Sequence, residues 1–212
     1  MSSIASQFAQ QLLEVQCIKL QPTQPFTWAS GWLSPFYCDN RKTLAYPKVR
    51  TFVKDQLAAM IRAQYPEATA IAGVATGAIA QGALVADALD LPMCYVRAKA
   101  KDHGMDNLIE GTLPEGAKVV VVEDLISTGG SSLKAVEALR AAGFEIRGMV
   151  ASFTYGFPVA EEAFRAANVT LTTLTNYEAV VETARAIGYI EESHLPLLAR
   201  WRANPSTWSP EV

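Results

Sequence analysis

Two adjacent carboxylates, Glu123 and Asp124, follow the apolar run Val119-Val120-Val121-Val122 and precede Leu125-Ile126-Ser127-Thr128-Gly129-Gly130-Ser131-Ser132. The order predicts a buried strand that delivers two acids, then a Gly/Ser/Thr turn, then a helix over 133–142. Main-chain N–H groups and hydroxyls at such a helix start form a site for a phosphate. Gly129 and Gly130 let the backbone come close to the anion. The acids repel a phosphate, but they accept hydrogen bonds from sugar hydroxyls or help hold a divalent cation. A phosphorylated sugar satisfies both halves of the motif. An ordinary Ser/Gly helix cap explains the turn alone, and explains the whole ensemble less well. A second anion site is expected at Thr76-Gly77, where another strand turns into a helix, although simple close packing selects the same small residues. The third candidate is cationic: Arg97, Lys99, Lys101 and His103 gather in one short stretch of a chain poor in cations, with Gly104, Gly111 and Gly116 around it.

These groups need a scaffold. The strand candidates 69–74, 93–97, 118–123, 148–153 and 170–174 alternate with helix candidates 79–89, 131–142, 160–167 and 176–187, which predicts an α/β fold with a central, mostly parallel sheet flanked by helices. Upstream, Ile4, Phe8, Leu12, Val15 and Ile18 recur at helical spacing with Ser2 or Ser3 as cap, and Pro47 opens a second helix. Between these helices lies an aromatic, Pro-rich stretch of short extended segments. The residues from Trp201 to Val212 are expected to trail over the surface.

Composition narrows the function. The chain has 212 residues, a net charge of -3 and 50% hydrophobic residues. Its length suits one domain, 1–212. An acidic chain without a basic block does not suit nucleic acid. Three cysteines without a CxxC pair, and only two histidines, speak against a disulfide framework or a His/Cys metal site. The uncharged run Ala68–Ala86 reads as strand, turn and helix rather than a membrane span, and no export signal is visible. Cytoplasmic residence follows from these readings. The segment Gly111–Lys118 lacks the lysine of a nucleotide-binding phosphate loop, since Ala117 stands there, and no G-x-G-x-x-G opens a helix.

The stretch from Val119 to Ser132 resembles the motif by which type I phosphoribosyltransferases bind phosphoribosyl pyrophosphate (PRPP). Two further stretches are similar to the orotate-using branch of that family: Tyr95 to Gly104 continuing through Ile109-Glu110-Gly111, and Phe26 to Pro35 followed by Tyr37, Asp39 and Arg41. The resemblance implies transfer of the phosphoribosyl group from PRPP to orotate, with Mg2+ held mainly through PRPP and pyrophosphate. It implies that Glu123 and Asp124 take the ribose hydroxyls and that Leu125, Ile126, Ser127, Thr128, Gly129, Gly130 and Ser131 take the 5'-phosphate. Arg97, Lys99, Lys101 and His103, with Thr76 and Gly77, would serve the pyrophosphate; Lys101, His103 and Asp124 are the catalytic candidates. It also implies a homodimer in which the 97–111 loop completes the neighbour's site, and a hood of residues 20–46 over the base. There Trp28, Phe36 and Tyr37 are candidates to stack on a pyrimidine, or else to glue the hood to the core. No protein metal ligand, nucleic-acid partner or membrane partner is implied.

Two positions depart from the branch. Ala29 stands where many members carry lysine, and Ala151–Pro158 carries no cation where some have arginine. Ser127, hood N–H groups and Arg41 are expected to meet the orotate instead. A transferase for another nucleobase, or a PRPP-sensing regulator without turnover, are the alternatives.

Overall fold

The computed structural model describes residues 3–28, 31–98 and 108–210. The first helix, α1 (Ile4–Glu14), is capped by Ser3, whose Oγ accepts from the Ser6 N–H at 3.1 Å, and it buries Phe8, Ala9, Leu12 and Leu13. The aromatic stretch forms short strands, β1 (Ile18–Leu20), β2 (Phe26–Thr27), β3 (Leu33–Ser34) and β4 (Phe36–Cys38), which pair antiparallel as β1 with β4 and β2 with β3. A 3-10 turn over Asn40–Ala45 leads into α2 (Pro47–Gln64), with its proline in the first turn, where a missing N–H costs nothing.

The sheet and its helices follow: β5 (Ala70–Val74), α3 (Ile79–Leu89), β6 (Met93–Val96), β7 (Ile109–Glu110), β8 (Lys118–Ile126), α4 (Gly130–Ala141), β9 (Glu145–Thr154), α5 (Pro158–Ala166), β10 (Leu171–Asn176), α6 (Tyr177–Ala186) and α7 (Leu195–Ala203). The strand order is β10-β9-β8-β5-β6-β7, parallel except for β7. Val119 and Val121 point into one apolar layer with Leu133, Val136 and Leu139 of α4 and Phe164 of α5. Val120 and Val122 point into the other, with residues of α1, α2, α3, α6 and α7. All four valines are fully buried, each worth roughly 1.5–3 kcal/mol of transfer free energy. The expected mostly parallel sheet flanked by helices is therefore what forms.

The order carries a functional consequence. From β5 the chain crosses to β6 on one side and then returns to β8 on the other side, from where it proceeds outward through β9 and β10. Right-handed crossovers in opposite directions must place their helices on opposite faces, as α3 and α4 are. The β5–β8 pair is thus the point where strand order reverses, and a crevice opens beyond the carboxyl ends of these two strands.

Two expectations change. Trp201 is fully buried rather than trailing. It sits on α7, and its Nε1 donates to the Leu33 carbonyl at 3.2 Å. Trp208 also packs against the core. Pro196 occupies the first turn of α7, where proline is tolerated. Phe36 has no free face for a ligand. It is fully buried, stacked on Phe153 at 5.6 Å and on Trp201 at 6.2 Å. Its role is to fasten the hood to the core. The uncharged run 68–86 folds as β5, a turn and α3, and no described helix is long and apolar enough to cross a membrane.

Candidate active site at the carboxyl ends of β5 and β8

Strand β8 outlasts its neighbour. Its ladder with β5 ends at Gly73↔Val122, whereas its ladder with β9 continues to Ile126↔Thr154. The overhang carries Glu123 and Asp124. Glu123 is buried, and its carboxylate is fixed from two sides: Oε1 accepts from the Asp124 N–H at 2.9 Å, and Oε2 accepts from Ser132 Oγ at 2.8 Å. Burial pushes the Glu123 carboxyl up to about 8, and the charge of Asp124 adds to the rise. Burial also raises the Asp124 carboxyl, while the hydrogen bond from Glu123 and the positive charge of Arg41 oppose that rise. Two acids side by side under little water share protons.

Around them lies a polar cavity of about 340 Å³. Its wall combines Asp39, Asn40 and Arg41 of the hood, Val74 to Gly77 after β5, Glu123 to Leu125 of β8, and Ser131 of α4. Gly77 is required by contact. A Cβ built there would lie 2.3 Å from Asp124 Oδ2. Gly129, which precedes α4, is required by conformation, with φ +80°. Thr128, Gly130 and Ser131 are exposed at this helix start, so their main-chain groups are open to an anion. Ile126 is fully buried in the layer with α4 and α5, so its side chain faces away from the cavity and only its main chain belongs to the loop.

A second cavity of about 430 Å³ adjoins the first, sharing Cys38 and Leu125, and is otherwise lined by Thr27, Trp28, Tyr37, Ser127 and Tyr155. It is an aromatic slot with hydroxyls and no charged residue in its described wall. Trp28 is held at its back by Tyr155 and Trp201, at 5.5 and 5.7 Å. The segment 151–158, without cations, supplies Tyr155. Arg202 of α7 fixes that turn by donating to the Tyr155 and Gly156 carbonyls at 3.2 and 2.8 Å.

The sequence candidates therefore divide. Thr76 and Gly77, Glu123 to Leu125 and Ser131 converge on one cavity, and Ser127 lines the other. Arg41 is placed in the polar cavity, where its Nε donates to Asp39 Oδ1 at 2.8 Å and holds the Asp39 carboxyl below its ordinary value. The wall of the aromatic slot does not include it. Arg97 pairs with Glu110 at 3.3 Å and lines a neighbouring cavity with Val74, Ala75 and Ser131. Lys99, Lys101, His103 and Ala29 lie outside the described residues. Missed from sequence were Asn40, Cys38, Ser132 and Tyr155. A buried-type polar residue inside an aromatic run, Asn40, was the one visible signal.

A family model described as the phosphoribosyl transferase domain matches residues 50–185. The chain is 64% identical to the orotate phosphoribosyltransferase of Bacteroides thetaiotaomicron over 98% of each chain, and 62% identical to that of Bacteroides fragilis over the same shares. Its structure is similar to the crystal structure of orotate phosphoribosyltransferase from Aeropyrum pernix, with TM-score 0.75 and 28% identity, covering 87% of this chain and 99% of that one. The chain belongs to the phosphoribosyltransferase family.

Proposed function

We propose that this phosphoribosyltransferase moves the 5-phosphoribosyl group of PRPP onto orotate, giving orotidine 5'-monophosphate and pyrophosphate. The observation that carries the reading is the pair of contiguous cavities. One is polar and carries the acid pair beside the helix start of α4; the other is an aromatic slot, and Cys38 and Leu125 lie on both walls. The identity of 64% to an orotate phosphoribosyltransferase over 98% of each chain supports the choice of base.

In this reading the C1–O bond to pyrophosphate breaks and a C1–N1 bond to orotate forms, with the N1 proton passing to pyrophosphate or water. Asp124 and Glu123 accept the ribose hydroxyls. The main chain from Ser127 to Ser131 takes the 5'-phosphate. Trp28, Tyr37 and Tyr155 hold the ring of the base, and Ser127 offers it a hydroxyl in place of the absent cations. Arg41 serves the phosphoribosyl side. Arg97, Lys99, Lys101 and His103 stabilise charge growing on the leaving group. Among the described residues no three His, Cys, Asp or Glu side chains gather into a cage. The donor set beside the cavity, chiefly Asp124, fits a magnesium ion held mostly by phosphate oxygens. When bound, that ion supplies charge neutralisation to the pyrophosphate. The likeness of 97–111 to the family's loop supports a homodimer with shared sites. Three free cysteines and the absence of a described membrane-crossing helix support a cytoplasmic setting.

The test is orotate absorbance with purified protein, PRPP and magnesium. A fall that needs all three, with pyrophosphate released in equal amount, is expected. Orotate left intact while another base is consumed would replace the substrate assignment.

A further inference from the structure

Asp124 lies in the overhang of β8, two residues past the end of the ladder with β5 and between Glu123 and Leu125, which pair with Ala151 and Phe153 of β9. Its carbonyl is bonded by the hood. Asn40 Nδ2 donates to Asp124 O at 2.6 Å across 84 residues of sequence. Asn40 is itself held in place. Its Oδ1 accepts from Cys38 Sγ at 3.6 Å, and its main-chain carbonyl accepts from Thr43 Oγ1 at 2.6 Å. Thr43 Oγ1 in turn accepts from Gln81 Nε2 of α3 at 3.1 Å. Asn40, Thr43 and Gln81 are buried to 1%, 0% and 1% exposure. Leaving a buried polar atom unmatched costs free energy, so a chain of donors that ends on Asp124 is held in one arrangement.

We infer that Asn40 is a positioning residue for the phosphoribosyl site: its buried amide ties the hood to the Asp124 carbonyl, and thereby sets where the acid pair meets the ribose. The hood is then part of the PRPP site as well as a cover for the base. This inference rests on the functional reading above, and the two fail in different ways. A residue that merely anchored the hood would act on orotate. A residue that sets Asp124 acts on PRPP even when no base is present.

The experiment is calorimetric titration of PRPP with magnesium, without orotate, into wild type, Asn40→Ala and Thr43→Val, together with the orotate KM and thermal unfolding of each. The expected result is a PRPP Kd raised about tenfold in Asn40→Ala, the scale of one lost buried hydrogen bond, with an orotate KM within about twofold of wild type. An unchanged PRPP Kd with a raised orotate KM overturns the inference and leaves Asn40 as a hood anchor. If Asn40→Ala does not fold, Thr43→Val decides by the same split. It keeps the shape and removes only the hydroxyl that links Gln81 to Asn40, so a weaker PRPP affinity supports the inference and an unaltered one overturns it. A wild-type chain that takes up no PRPP overturns the functional reading, and the inference with it.

Discussion

The turns after β5 and β8 lie side by side at the same edge of the sheet, and each depends on a glycine for a different reason. At Gly77 the backbone is unexceptional, and what forbids a side chain is the Asp124 carboxylate, 2.3 Å from where a Cβ would stand. At Gly129 the backbone itself is left-handed, and a Cβ would also meet the Phe164 ring at 2.8 Å. One glycine protects the position of a cavity carboxylate, the other the entry of a helix. Similar composition at two turns thus conceals a division between chemistry and stability.

The comparison can be broken by substitution. Gly77→Ala should lower turnover by about 100-fold, as misplacement of a positioned group does, because the carboxylate is the part able to move away. The fold should lose little, and a melting temperature that falls as steeply as activity would erase the distinction. Gly129→Ala should behave in the opposite sense. A left-handed alanine costs roughly 1–2 kcal/mol, and the overlap with Phe164 adds to it, so calorimetry should show a clear loss of stability.

Glu123→Gln separates the two roles within one residue. A carboxyl raised from 4.5 to about 8 binds its proton more tightly in the folded chain than in the unfolded one. Its burial therefore weakens the fold progressively as pH rises from about 4.5 to about 8, and leaves it unaffected below that window. Glutamine removes the penalty. The variant should melt higher than wild type by at least about 2–4 °C at pH 8, with the gap closing toward pH 4.5, while turnover falls. Equal melting curves at pH 8 would mean that Glu123 ionises freely. The smallest effect belongs to Gly130→Ala. Nothing lies within 4 Å of its Cβ position, so stability should change by less than about 1 kcal/mol. A larger loss would show that the start of α4 is under constraint along its whole length.

The sequence showed the sheet well, because runs such as Val119–Val122 can only be strands covered on both faces. It showed the turn between β8 and α4 for the same local reason, a glycine-rich link between strand and helix. It misjudged where β8 ends. An acid pair reads as the close of a buried strand, yet the strand runs on to Ile126 because β9 still pairs with it. Contacts between distant segments were not legible: Asn40 on Asp124, Arg202 on Tyr155 and Trp201 on Leu33 join residues 84, 47 and 168 positions apart. Pro205 and Pro210 suggested a loose end from Trp201 onward, yet Trp201 lies on α7 and is fully buried.

The bond from Trp201 to Leu33 has a consequence for the newborn chain. Synthesis runs from the hood toward α7, so the strands that carry the acid pair leave the ribosome well before the indole that braces Trp28. The aromatic slot is therefore among the last parts to be finished, and a nascent chain stalled before residue 201 would hold an assembled sheet with this slot still unbraced.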